Sequence, residues 1–387
     1  MCGRLRRTLV CFAGDVWDGN PHSRHHLMRR FARAGWEVLW VEGVAMRSVA
    51  AAGRTELRRV AAKLRARSQL RCVEQRLHVL RPLPIPPAGP GGRALQQLML
   101  HRQVTHALRE LKLGPPALTW FSVPVAAPLR GRLRERASVL YYQDRYDEFT
   151  HVDSAFLRRC LRSLAIGCDV AIASAEQLAA DLRGLGANPV VVPHGVDLDR
   201  FSRPVAPPAA LQALEPPIIG CVGLVDDHLD MAAIRSIAQS LDRGTVVLVG
   251  GVNTDISPLD HPRIVHVERR PYEEMPSFIQ RFDACLVPFA RNRLTQGVNP
   301  IKLREYLAAG RPVVATALPE IEPYGDVVEL VRTRDGWPAA VARALAADDE
   351  DARAIRRQRV AGESWDVAFE RIEALLTPLL ERAPRRP

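Results

Sequence analysis

Lysine is nearly missing from this chain. Of its 54 basic residues only Lys63, Lys112 and Lys302 are lysines, and the rest are arginine. Where arginine is the default cation, a lysine points to a position that needs a compact point charge instead of a planar fork. Long apolar runs are missing too. The longest near the N-terminus, 38–50, is short and carries Glu42 and Arg47, so it does not read as a membrane span. Residues 8–14 are too short and too poorly flanked for a secretory signal. The seven cysteines are odd in number and include no CxxC pair, which suits buried thiols in a reducing cytosol and argues against a metal cluster. No G-x-G-x-x-G follows the first apolar run, against a dinucleotide enzyme. No repeat of solenoid period is visible, nor any Ser/His/Asp or zinc spacing in a supporting context. The expectation is a cytoplasmic protein.

What is present is ordinary globular material in unusual charge order. The 387 residues, 47% hydrophobic and 25% charged, suffice for two domains, each with a core. Residues 1–150 hold 26 Lys/Arg against 11 Asp/Glu, while residues 151–387 hold 28 against 32. A basic front half over a nearly neutral back half suggests an anionic partner for the front. Nucleic acid is discounted, because the basic residues are not interleaved with an aromatic platform. An anionic membrane surface remains. In 54–71, Leu57, Val60, Ala61 and Leu64 share one helical face while Arg58, Arg59, Lys63, Arg65, Arg67 and Arg71 crowd the rest. Such a helix either packs its leucines on the front domain or lies on the inner face of the membrane as a peripheral contact.

Strand and helix patterns alternate along the chain, which implies α/β architecture with parallel sheets covered on both faces. Strand-like runs are 8–14, 36–43, 73–80, 117–123, 138–143, 169–174 and 189–196, with Pro-rich 81–92 as a loop. The pattern restarts after 203–217, with strands at 218–225, 244–251, 263–268, 284–290, 311–316 and 327–331. The expected organisation is an N-terminal domain (1–202), a linker (203–217), a second domain (218–364), and a closing helix and tail (365–387) that packs back on the N-terminal domain. Ser364 is the expected N-cap of that helix. Ligands of doubly wound sheets sit at the carboxyl ends of the strands.

One segment carries the chemistry. In "NPIKLREYLAAGRPVVAT" (299–316), Asn299 reads as an N-cap, Pro300 as the first helical residue and Gly310 as the glycine beyond the helix end. Free amides and the helix dipole favour an anion at the start, and Lys302 adds a full charge there. Glu305 shares the face of Lys302 one turn along and can accept hydrogen bonds from two ribose hydroxyls. Phosphates at the helix start with a ribose beside them make a nucleoside diphosphate. The alternative is an exposed Lys–Glu pair of little energetic weight.

"VPFARNRLTQGVNPIKLREYLAAGRPVVAT" (287–316) resembles the donor-binding segment of family 4 GT-B glycosyltransferases. "VVVPHGVDLDRF" (190–201) resembles the family's interdomain run, with His194 where asparagine is usual. "RAGWEVLWV" (33–41) resembles its first helix and second strand, and "IIGCVGLV" (218–225) the opening of its donor domain. The resemblance implies a GT-B fold, two Rossmann-like doubly wound domains facing a central cleft. It implies a retaining transferase that uses a nucleotide-diphosphate sugar and needs no cofactor or bound metal. By position Glu305 would hold the ribose, while Lys302 and the amides from Asn299 to Ile301 would hold the diphosphate, close to Gly223. Two departures stand out. Gly297 occupies the place of the family's first paired glutamate, and the acidic "LVDDHLD" follows Gly223 where basic residues are usual. Arg291 and Arg293 are the expected replacement charge.

The front domain is expected to hold a hydroxyl acceptor: a lipid-linked glycan, a polysaccharide or a natural-product aglycone. Asp15, Trp17 and His22 follow its first strand, and Asp144 follows another strand end as the acid for the acceptor hydroxyl. The DxD spacing of Asp197 and Asp199 falls inside the interdomain run and is read as accidental. Two rivals remain, an inverting transferase with His22 as base and a pseudoenzyme that binds the donor without turnover.

Overall fold

A computed structural model describes residues 7–43, 69–83, 89–149 and 152–381. The chain divides into two compact units, Met1–Pro193 with Phe369–Pro387, and His194–Ala368.

The first unit is built on eight strands: β1 (Thr8–Phe12), β2 (Glu37–Val41), β3 (Gln69–Glu74), β4 (Leu77–Arg81), β5 (Leu118–Phe121), β6 (Ala137–Tyr142), β7 (Val170–Ala173) and β8 (Val190–Val191). They lie in the order β3-β4-β2-β1-β5-β6-β7-β8, parallel except for the β3–β4 hairpin. β1, β2, β5 and β6 are buried at every position, as expected of strands covered on both faces. The single strand expected near 73–80 is instead two strands joined at Gln75 and Arg76, with Arg76 at φ +63°. Of the expected basic helix 54–71, residues 54–68 lie outside the described residues, and Arg71 stands in β3 with its guanidinium 2.6 Å from Asp18. The loop expected over 81–92 is cut short by a helix, Gly89–Glu110. Pro90 is tolerated there because amides of the first helical turn have no intrahelical partner to lose.

The second unit carries β9 (Ile218–Val222), β10 (Thr245–Val249), β11 (Ile264–Val267), β12 (Ala284–Val287), β13 (Val313–Thr316) and β14 (Val328–Val331). All are parallel, in the order β11-β10-β9-β12-β13-β14. Two apolar clusters cover the faces of this sheet, one around Phe278, Phe282 and Tyr306, the other around Ile234, Ile237 and Trp337. The stretch expected as a linker, 203–217, is part of this unit. Leu211 is fully buried in its core, and Gln280 donates to the carbonyls of Phe201 and Arg203. The closing helix runs Trp365–Glu381, and Ser364 caps it, its hydroxyl accepting from the Val367 amide at 3.2 Å. Phe369 meets Phe31 edge-on within the first unit, at 4.9 Å between centroids. Among the described residues no helix is long and apolar enough to cross a membrane.

Candidate donor and acceptor sites

In the second unit, polar residues gather at the carboxyl ends of the strands. Gly223 follows β9 and Gly250 follows β10. A Cβ on Gly250 would stand 1.7 Å from the Gly223 carbonyl oxygen, so the two backbones touch where only glycine fits. The Val222 amide donates to the buried Tyr306 hydroxyl at 2.8 Å, which ties the end of β9 to the helix Ile301–Ala308. The acidic residues after Gly223 are engaged locally. Asp226 pairs with His228, Asp227 accepts from Thr254, and Asp230 caps the helix Met231–Ser240 while pairing with Arg334. Arg291 is exposed and donates to the Val331 carbonyl at 3.0 Å, so one of its donors is already used.

The helix Ile301–Ala308 starts one residue later than the sequence suggests. Pro300 is its N-cap, at φ −76° and ψ 113°, and no side chain caps it. Proline has no N–H, so the free amides are those of Ile301, Lys302 and Leu303. Asn299 is not the cap. It is 3% exposed, accepts from Arg304 at 2.8 Å and from the His194 amide at 3.4 Å, and donates to Glu320 at 3.0 Å. A side chain so engaged does not reach out to a ligand. The far end closes as expected. Gly310 has φ +74°, and the Arg311 amide donates to the Tyr306 carbonyl across the helix end.

Lys302 and Glu305 are brought together, with Nζ 2.7 Å from Oε2. Glu305 is 1% exposed, whereas Lys302 reaches solvent. Burial pushes the Glu305 carboxyl above its ordinary value, against the opposing pull of Lys302 and the Tyr272 hydroxyl. Lys302 Nζ lies 5.9 Å from the centre of the Tyr272 ring, and the Arg200 guanidinium lies 5.2 Å from it. Arg200 pairs in turn with Asp197, which caps the helix Leu198–Ser202. Asp197 thus has a local structural role, and among the described residues no group of three or more His, Cys, Asp or Glu is placed to hold a metal ion. Tyr272 and Arg304 escaped the sequence reading. Tyr272 meets Arg200 and Lys302, and Arg304 meets Glu363, all remote in the chain, whereas the glycine pair after β10 and the tyrosine beside Glu305 were readable signals.

The first unit has a second polar cluster, again at strand ends. Asp15 pairs with the buried Arg24, which also reaches the Tyr146 hydroxyl at 3.4 Å. Burial raises the Asp15 carboxyl, but Arg24 and His22 outweigh it and hold the group below its ordinary value. Gln143 accepts from Ser23 and donates to Tyr146 at 3.0 Å. Asp144, partly exposed, acts by its charge on Arg24 and Tyr146. His22 is exposed at the start of the helix Ser23–Arg33, its amide donating to His25 Nδ1 at 3.0 Å. Trp17, expected among the acceptor-binding residues, is a lid on the core. It is 6% exposed and packed against His25, Trp40 and the Arg29 guanidinium, since an indole this large gains more by filling the space beside β2 than by standing in water.

Comparison with known proteins converges on one fold. Residues 216–347 match the family model described as Glycosyl transferases group 1. The TuaH glycosyltransferase assigned to teichuronic acid biosynthesis in Bacillus subtilis (strain 168) is 30% identical over 195 residues, 47% of this chain and 49% of that protein. The match therefore spans about half the length of that relative. Sucrose-phosphate synthase from Thermosynechococcus elongatus superposes with a TM-score of 0.72 at 16% identity, covering 97% of this chain and 99% of that one. The HepE protein of Anabaena, in complex with UDP and glucose, superposes at 0.64 with 13% identity, covering 96% and 100%. The chain therefore has the GT-B fold, and its residues 216–347 are similar to group 1 glycosyl transferases.

Proposed function

We propose that this chain is a glycosyltransferase that moves a sugar from a nucleotide-diphosphate sugar to a hydroxyl acceptor with retention of configuration. The observation that carries the reading is the Lys302–Glu305 pair at the uncapped start of the helix Ile301–Ala308, inside the region that matches the group 1 family. The amides of Ile301, Lys302 and Leu303 and the Lys302 ammonium supply positive charge to the diphosphate, so no metal is needed. As the leaving diphosphate gains charge, that same group stabilises it. Lys302 turns outward to the phosphates, which uncovers Glu305 for the ribose hydroxyls. Glycine at 223 and 250 lets the donor approach the ends of β9 and β10.

The acceptor hydroxyl is assigned to the cluster of Asp15, Arg24, Asp144 and Tyr146 in the first unit, with Asp144 as the acid that orients it. UDP, which the Anabaena protein holds, is the first candidate nucleotide. A polysaccharide or lipid-linked glycan is the favoured acceptor, by analogy with the polymer named for the Bacillus relative. Retention rests on the resemblance of residues 284–316. A peripheral position on the inner membrane face rests on the basic composition of 54–71.

A thermal-shift screen of UDP, GDP, dTDP and ADP tests the reading, because a bound nucleotide raises the melting temperature by mass action. One of the four should stabilise the protein, and the matching sugar donor should be turned over. Four flat responses would refute donor binding. Binding without turnover of any donor would leave the pseudoenzyme.

A further inference from the structure

We infer that Arg304 is the positioning residue of the diphosphate site, acting through Asn299 on the loop that enters the helix Ile301–Ala308. The inference rests on the donor reading above and deepens it. Arg304 is a neighbour of Glu305 in sequence but points elsewhere. It is 3% exposed, its Nη1 donates to Asn299 Oδ1 at 2.8 Å, and its Nε donates to Glu363 at 2.7 Å. Its guanidinium lies 5.5 Å from the centre of the Tyr324 ring, and the Tyr324 hydroxyl donates to the same Glu363 carboxylate, which Arg359 also contacts.

Asn299 completes the network. It takes Arg304 and the His194 amide on its oxygen and gives its nitrogen to Glu320. The residue before Pro300 is therefore pinned from three directions: by the helix it leads into, by the segment after β13, and by the segment 194–196. Val196 itself pairs with Ser364, next to Glu363. With no capping side chain at Pro300, this post is what sets the direction of the three free amides. An anion site made of backbone N–H groups depends on that direction, and a shift of about 1 Å in a bound group can cost on the order of a hundredfold in rate.

The planar fork of Arg304 is needed for the arrangement. Lysine keeps the charge but offers a single nitrogen, which cannot serve Asn299 and Glu363 at both of the observed positions. Arg304 acts without touching substrate. Its effect falls on the phosphates alone, since the nucleoside is held by other groups.

The test uses the full chain, Arg304→Lys, Asn299→Ala and the double variant, with calorimetry against the nucleoside diphosphate that stabilises the wild type and against the corresponding monophosphate. Wild type should prefer the diphosphate. Arg304→Lys should keep monophosphate affinity within about twofold and lose about tenfold for the diphosphate, the worth of one charge-assisted hydrogen bond. Asn299→Ala should reproduce that loss, and the double variant should be no worse than either single change, because both act through one post. A folded Arg304→Lys protein with an unchanged diphosphate-to-monophosphate ratio would overturn the inference, as would additive losses in the double variant. If Arg304→Lys does not fold, Asn299→Ala alone decides by the same ratio. Wild type that binds none of the four diphosphates refutes the donor reading itself, a result separable from a failed ratio.

Discussion

Replacing Lys302 with methionine keeps the side-chain stem and removes the charge that Glu305 faces. Glu305 is 1% exposed, and Lys302 Nζ stands 2.7 Å from it. The Tyr272 hydroxyl also favours its charged form and Asp197 opposes it. Removing one partner of a buried pair costs about 3–5 kcal/mol. Because Lys302 is 31% exposed and so partly screened by water, about 2–3 kcal/mol is expected here. The sign of the pH dependence follows from burial. The folded-state value of Glu305 lies above its unfolded value, so between the two the folded protein holds the extra proton, and stability falls as pH rises through that window. The window opens near the ordinary carboxylate value of about 4.3. Lys302→Met raises its upper edge, so the variant should lose little at pH 4 and the full 2–3 kcal/mol at about pH 8. Hydrogen exchange of peptides from 299–316, corrected for intrinsic rates, measures the opening free energy of this unit. Adding Glu305→Gln to the variant should restore the lost stability at pH 8. An equal loss at both pH values, or no rescue by glutamine, would refute the argument that an uncompensated buried carboxylate is the cause.

Three further outcomes are expected. Lys302→Ala should raise the barrier to donor turnover by about 2–4 kcal/mol, read as kcat on a folded variant, if its charge meets the leaving diphosphate; unchanged kcat would remove Lys302 from that role. Tyr306→Phe should cost about 1–3 kcal/mol in the urea unfolding of the unit, because it leaves the buried Val222 amide without an acceptor, and a loss below about 0.5 kcal/mol would show that the amide finds another partner. His25 is held neutral, burial pushing its imidazole down to about 3. Its stabilising effect should therefore be lost as pH falls below the unfolded value of about 6.5, by on the order of 3–5 kcal/mol in all, and His25→Asn should flatten the acid limb of the stability curve between those values.

Much of the fold was legible because its signals are local. A strand buried on both faces must be apolar throughout, so "TLVCF", "IIGCV" and "TVVLV" announce a parallel sheet without knowledge of their neighbours. Gly310 and the following Pro312 mark a helix end by backbone sterics alone, and Ser364 marks a helix start by its hydroxyl. The β3–β4 hairpin was not legible, since its turn is Gln75–Arg76, with none of the glycine or asparagine that usually signals one. The span 203–217 looked like a linker because proline dominates its composition, yet burial of one leucine draws it into the second unit.

At the site the division is sharper. The sequence by itself determined that Lys302 and Glu305 share a helical face, because a spacing of three does so in any helix. It also placed the anion-favouring start of that helix to within one residue, though with Asn299 as a cap that the structure does not use. Only the tertiary structure decided what each side chain is free to do. Asn299 is consumed by Arg304, Glu320 and His194, Glu305 is buried beneath Lys302, and Trp17, a candidate for the acceptor, closes a core. These outcomes depend on groups as far apart in the chain as His194 and Asn299, whose juxtaposition follows from the packing of strands and helices and from no local spacing. Hydrogen-bond capacity is finite, so which partner takes a buried polar atom is settled by what the fold carries to it.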